Sequence, residues 1–261
     1  SNAHQDPLYT NTIEIYKNGG VDNINFYDTD WRKEVIKESA AIQNYSLSLS
    51  GGNDVVKLFT SAGYFAQDGL IDNNKFTRTS LRVNTDTKVN KWLKVGVDVG
   101  IRQSTAKAPV METAANIIGK ALTMTPIMSG INADGTWGNG INGTNPIAMV
   151  RCGCTSNSTA PEYTARTTVS IDPFKGFNIF GAYTWKRADG ETNAFVTPYK
   201  VFENGVSKGA FPTTGSSKSE QRTKSVTKQY NLQGTYEKDF HKNNIKILLG
   251  FQSEELNYNY L

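Results

Sequence analysis

Trp137 stands in a run rich in Gly, Asn and Asp, from Asn132 to Asn145, with Asn139, Asn142 and Asn145 close behind it. An indole face can stack on the flat side of a sugar ring while amides hydrogen-bond its hydroxyls. These four residues are therefore the candidate substrate contacts. The same indole can equally serve to anchor its own loop. A second set is ionic: Arg78, Arg82, Asp86, Asp98 and Arg102 recur at even spacing in two neighbouring runs of alternating character. Side chains two apart on a strand share a face, so this set is expected to line one charged surface.

Other chemistry is thinner. Cys152 and Cys154 flank Gly153. Such a pair could form a strained, redox-labile disulfide or supply two metal ligands. No further Cys or nearby His completes a metal site, and two partly exposed loop thiols without chemistry are the favoured reading. The two histidines, His4 and His241, sit beside no nucleophile motif, and His241 falls in a short solvated turn. No Gly-rich phosphate loop follows a strand, and no carboxylate pair is singled out. The sequence thus points away from an enzyme and implies no cofactor. With 28 basic and 24 acidic residues, spread out for a net charge of +4, it gives no reason to expect a nucleic-acid partner.

The elements that must position these residues are strands. Gln43 to Ser50, a run from Asp54 to Phe65, Phe76 to Val89 and Trp92 to Gln103 form a four-strand meander. Thr79, Leu81, Val83, Thr85, Thr87 and Val89 share one face, opposite Arg78, Ser80, Arg82, Asn84, Asp86 and Lys88. Leu93, Val95, Val97, Val99 and Ile101 oppose Lys94, Gly96, Asp98, Gly100 and Arg102. Alternation resumes from Tyr163 to Asp172, from Phe177 to Trp185, from Gln229 to Lys238 and from Asn244 to Glu254. Tyr258 and Tyr260, spaced by two, suggest the start of a further strand. Each strand therefore has a greasy side and a wet side.

Residues 1–3 read as a tag remnant, and 4–42 as a mixed, partly helical lead-in. A short helix is expected over Thr12 to Asn18. A second is expected from Trp31 to Glu38, capped by an oxygen of Asp28-Thr29-Asp30, with Trp31, Val35 and Ile36 packing against the sheet. Residues 43–261 form the β unit, with long loops at 104–162 and 188–227. In the first loop, Met111 to Met124 has helical spacing closed by Pro126, and Thr155 to Pro161 reads as polar and turn-rich. The second loop contains Asp189-Gly190 and Asn204-Gly205 turns, with a small hairpin between Phe195 and Phe211.

Connections alternate in length. Those near 51–54, 90–91, 173–176 and 239–243 are tight, while those near 67–75, 104–162 and 188–227 are long. In an antiparallel meander alternate connections lie at opposite ends, so one end carries only turns and the other all the long loops. That asymmetry, with aromatic residues near strand ends, is the pattern of an outer-membrane barrel. A mean hydropathy of -0.47 does not oppose it, because barrel strands alternate. The alternative is a soluble β-sandwich, a carbohydrate-binding or adhesin module, with its apolar faces packed between two sheets. A barrel segment by itself leaves open edges and an uncovered face, so the isolated piece is expected to curl or self-associate.

Thr29-Asp30-Trp31, the run from Gln43 to Gly52, Gly63 to Ile71, Arg82 to Asp86 and Val89 to Gly96 resemble the SusC/RagA family of TonB-dependent outer-membrane transporters from Bacteroidetes. Asn145-Pro146 and Leu248 to Gln252 match more loosely. The resemblance implies an all-β, antiparallel up-and-down segment of a large transmembrane barrel of about 22 strands around a plugged lumen. It implies location in the cell outer membrane, contact with its lipid, and import of a glycan or peptide. It further implies energy from TonB and a SusD-like surface lipoprotein as lid. The family's plug and TonB-contacting segment are expected outside this chain. Arg78, Arg82, Asp86, Asp98 and Arg102 would then face a hydrated lumen, and the long loops would shape its mouth.

Overall fold

The computed structural model describes residues 27–241 and 243–260. The tag remnant, the expected helix over 12–18 and His4 lie outside the described residues. Eight strands form one antiparallel sheet: β1 (Ile42–Gly52), β2 (Val56–Asp68), β3 (Lys75–Lys88), β4 (Leu93–Pro109), β6 (Thr155–Phe174), β7 (Phe177–Val196), β10 (Ser217–Phe240) and β11 (Asn243–Tyr260). Strands adjacent in this sequence of eight are adjacent in space. Three short helices, α1 (Trp31–Val35), α2 (Ala114–Thr123) and α3 (Pro146–Arg151), lie in the lead-in and the first long connection. A second sheet joins β5 (Trp137–Gly138), β8 (Tyr199–Glu203) and β9 (Val206–Phe211).

Register carries the alternation across the large sheet. Leu47 sits opposite Ala62, Ala62 opposite Leu81, Leu81 opposite Ile101 and Ile101 opposite Tyr163. A one-residue slip in any pair would turn this row to the wet side. Tyr45 stacks on Tyr64 at 6.3 Å, and Tyr183 meets Tyr230 at 5.0 Å, on the same apolar side. No layer covers that side among the described residues: Val97 is 41% exposed, Val99 44% and Leu249 75%. A sandwich requires a second sheet over these side chains, so the sandwich reading fails. The sheet remains open, with β1 and β11 as its edges.

The strands run further than alternation indicated. The stretch Thr155 to Pro161, expected as loop, is the first part of β6, and Asp189-Gly190, expected as a turn, pairs with Lys224 and Thr223 inside the sheet. Pro161 has no N–H to give, and on the β7 side the ladder passes from Thr159–Glu191 to Glu162–Ala188 across it. Tyr258 and Tyr260 continue β11 instead of opening a new strand. The long connections shrink to residues 110–154 and 197–216. The reason is solvent. A tilted strand needs about 9–11 residues to cross hydrocarbon, whereas β6 and β7 have 20 each and β10 has 24. On the expected barrel, the residues beyond that length would meet water on both faces, where the ladder continues without an apolar side to advertise it.

The tight connections lie together at one end, and 69–74, 110–154 and 197–216 at the other, as the loop rhythm required. The buried core is at this second end. Trp31, Val35, Ile71, Ile117, Ile147, Val150, Tyr199 and Val201 pack together, drawing on the three helices, all three long connections and the small sheet. Two expectations about α1 change. It ends at Val35, because Ile36 is already extended and Lys37 donates to the Leu70 carbonyl at 2.7 Å. It packs in this cap, against α2 and α3, and not on the sheet. Its N-cap is Asp30, whose carboxylate accepts from Lys33 N–H at 3.1 Å.

If this sheet stands in an outer membrane, as the sequence leads one to expect, a charge placed on the uncovered apolar face must enter lipid. Val97→Arg is expected to lower stability by about 2–4 kcal/mol. The adjacent Asp98→Asn, on the wet side, should lose only about 1 kcal/mol or less. Urea unfolding of the complete membrane-inserted protein, followed by tryptophan fluorescence, measures both.

Candidate functional site

The wet face of the sheet bears an ordered set of charges. Arg82 forks onto Asp98, with Nε donating to one carboxylate oxygen at 3.1 Å and Nη2 to the other. The same Nε also reaches Asn84 at 3.1 Å. Arg102 donates to Glu162 at 2.8 Å, and Lys186 approaches the same carboxylate at 3.3 Å. The Asp86 carboxylate and the Thr168 hydroxyl lean over Gly96, where a Cβ would lie 2.8 Å and 2.5 Å from them. Gly96 thus leaves room for two polar groups to close over the backbone. A hollow of about 310 Å³ opens here, lined by Asn84, Asp86, Asp98, Arg166, Thr168 and Phe180. The Arg78 guanidinium stands 5.6 Å from the Phe65 ring centre on this face, a cation–π contact. The five expected lumen residues are therefore on one surface, and Glu162, Arg166 and Lys186 join them across the sheet.

The cap lies at the end of the sheet that carries the long connections, and its polar groups hold it together. Asn145 is fully buried. Its amide nitrogen donates to Gly130 and Gly138 carbonyls at 2.7 and 2.9 Å. Its oxygen accepts from the Ile147 and Ala148 N–H groups at 3.0 and 3.1 Å, capping α3, with Pro146 in the first turn. Four bonds use the side chain completely, so none is left for substrate. Trp137 is half-buried in β5, opposite Val201 and packed on the core. Asn139 is half-buried, and its carbonyl accepts from Gly143 at 2.9 Å. Asn142 is exposed at a left-handed turn position, φ 50. The four candidate contacts thus share one loop but not one accessibility.

Sequence reasoning missed the clamp that closes the cap. Arg151 at the end of α3 donates to the Glu34 carbonyl at 2.8 Å and pairs with the Glu34 carboxylate at 3.1 Å. Asp72 faces it at 3.8 Å and also pairs with Lys37 at 3.1 Å. Asn73, at φ 59, donates to the Val150 carbonyl at 2.7 Å. The available signal was Asn145-Pro146, an N-cap followed by a first-turn proline, which marks a helix that periodicity alone is too short to reveal. Gly143 is a second missed requirement: with φ +84, a Cβ there would overlap the Phe211 ring. Tyr199 donates to the Gly143 carbonyl at 3.2 Å.

The cysteines depart from expectation. Cys154 is buried, not partly exposed. Its thiol donates to the Thr197 carbonyl at 3.1 Å and accepts from the Thr197 N–H at 3.3 Å, tying the two long connections together. Burial pushes the Cys152 thiol up to about 12, and burial likewise raises Tyr199 to about 12. At the cap surface, hydrogen bonds from Thr136 hold the Asp134 carboxyl below its ordinary value.

No family model matches the chain. A TonB-dependent receptor named P3 from Formosa agariphila is 28% identical over 253 residues, 88% of this chain and 23% of that protein. Receptor P26 of the same organism is 24% identical over 149 residues, 54% of this chain and 14% of that protein. The RagAB peptide importer in its open-open state superposes on 100% of this chain and 30% of its own, with TM-score 0.72 at 18% identity. The RagAB peptide transporter covers 88% of this chain and 26% of its own, with TM-score 0.68 at 20% identity. The chain is similar to TonB-dependent receptors and shares its fold with part of the RagAB transporter. It spans about a quarter of the length of the first curated relative. The shared fold is the antiparallel sheet, which is open here with β1 and β11 as its edges.

Two outcomes follow for the cap. Asn145→Ala strands two carbonyls and two N–H groups in a dry interior. It is expected to destabilise the cap by about 3 kcal/mol or more, read as faster amide exchange in residues 128–150. Alkaline pH should loosen the same unit. Cys152 and Tyr199 are held protonated when folded, and their ordinary values are 9.0 and 10.0. Above those values the unfolded cap loses protons that the folded cap keeps, so its stability falls as pH rises from about 9 toward 12. Denaturant titration at pH 8 and pH 10.5, repeated with Tyr199→Phe, checks this.

Proposed function

We propose that this chain forms part of the wall and outer mouth of an outer-membrane importer of nutrient oligomers, glycan or peptide. In this reading TonB drives transport and a SusD-like surface lipoprotein covers the mouth. The observation that carries it is the division of one sheet into an uncovered apolar side and an ion-lined side, with every long connection at one end. The kinship with TonB-dependent receptors and the likeness to RagAB, described as a peptide transporter, support the same reading. Arg78, Arg82, Asp86, Asp98 and Arg102 keep the lumen wet and guide polar cargo along it. Trp137, Asn139 and Asn142 are the proposed cargo contacts at the mouth, with Asn145 holding their loop in shape.

The test uses the complete receptor in a host deleted for its own copy, supplied with either an oligosaccharide mixture or a peptide mixture as sole nutrient. Growth should depend on the receptor for one mixture. Asn139→Ala with Asn142→Ala should lower uptake of that mixture by roughly threefold to tenfold, the worth of one or two hydrogen bonds. The receptor's abundance in the outer membrane should not change. Receptor-independent growth on both mixtures would overturn the import reading. Normal uptake by the double variant would remove these two amides from it.

A further inference from the structure

Paired residues form rows across the wet face of the large sheet, and four successive rows on β3, β4, β6 and β7 carry cations. In the first, Arg78 stands opposite Ser104. Two positions along, Arg102 stands between Ser80 and Glu162. The next row holds Arg82 on β3 and Lys186 on β7, with Gly100 and Thr164 between them. The fourth holds Arg166, opposite Asp98. Register alone therefore builds a cationic strip that runs along the strands.

The ion pairs of this strip turn their positive halves outward. The Arg82 side chain is 56% exposed and its partner Asp98 23%. Arg102 and Lys186 are each more than twice as exposed as the Glu162 carboxylate that they share. The acids lie low and the cations stand up, so a molecule on this face meets positive charge first. Among the described residues Arg78 and Arg166 are in no ion pair: Arg78 stands over Phe65, and Arg166 lines the hollow of about 310 Å³. Both keep guanidinium donors for a guest. Gly100 leaves the middle of the strip open, since a Cβ there would meet only the Leu81 carbonyl, at 3.9 Å.

Rows two residues apart along a strand are separated by about 6.8 Å. Alternate side chains of an extended peptide recur at the same spacing and point the same way. We propose that the strip binds acidic peptide in extended form, with a carboxylate at every second residue lying on successive rows: Arg78, then Arg102, then Arg82 with Lys186, then Arg166. This inference rests on the reading that the wet face lines the import path, and it names the chemistry of the cargo. An arginine takes a carboxylate through two parallel N–H···O bonds. Ser80, Ser104 and Thr164, set among the cations, offer hydroxyls to the peptide backbone.

The test is fluorescence anisotropy of labelled octapeptides on the complete receptor in detergent. An alternating Glu-Ser peptide should bind roughly tenfold more tightly than a peptide with the same residues in two blocks, and tighter still than an alternating Lys-Ser peptide. Arg78→Gln with Arg166→Gln, which breaks no ion pair, should weaken the alternating Glu-Ser peptide roughly tenfold and leave a neutral Gln-Ser peptide unchanged. Gly100→Glu removes no contact and sets a carboxylate in the open middle of the strip, and it should weaken the acidic peptide at least as far. Equal binding of the alternating and blocked peptides, tighter binding of a uronate oligosaccharide of equal charge, or unchanged affinity in both variants would each overturn the proposal. A receptor that supports growth yet ignores charge order defeats this inference alone. Receptor-independent growth defeats the import reading whatever the peptides show.

Discussion

In the proposed outer-membrane setting every feature of this sheet descends from one constraint: in hydrocarbon, a backbone N–H or C=O has no water to bond and must find a partner in the protein. A strand meets that demand only through its neighbours. Pairing from β1 to β11 is therefore continuous, and each strand is hydrogen-bonded along its length. Once the ladder is obligatory, side-chain choice reduces to two solvents. Odd and even positions are sorted between an apolar and a polar side, and Val97 and Val99 remain uncovered while Arg82 and Asp98 pair on the opposite side.

The same constraint explains where the conventional core lies. A single open sheet with neither face covered has no interior of its own. The buried aliphatic and aromatic side chains gather instead in the cap, where the long connections must bury something to be ordered. There the rules of a soluble protein return. Asn145 saturates its hydrogen bonds, Arg151 closes ionic contacts between α3, Glu34 and Asp72, and Cys154 ties the two long connections. The cap keeps Trp137, Asn139 and Asn142 at least partly accessible while Asn145 is buried beneath them in the same loop.

Much of the sheet was legible in the residues. Leu93 to Ile101 and Thr79 to Thr87 alternate because each side chain there has a single solvent, and they fall inside β4 and β3, although β3 ends at Lys88 and β4 runs on to Pro109. Thr155 to Pro161 and Asp189-Gly190 were not legible. They lie where β6 and β7 stand in water on both sides, so polar residues and a Gly fill a ladder that carries no period. The charged set on the wet face was recoverable, since spacing by two assigns a face. The partners Glu162 and Lys186 were not, because they arrive from strands about sixty or more positions away in sequence.

Composition and period by themselves determined that this is an antiparallel meander with one greasy side, turns at one end and long connections at the other. Those properties are local: each depends on a residue and its neighbours two positions away. Only the tertiary structure decided that α1 belongs to the cap, that Asn145 is internal while Asn142 is exposed, and that Met111 stands beside Cys152. These depend on where distant segments fold back, and in the cap that is settled by packing of irregular connections, which leaves no period in the sequence to read.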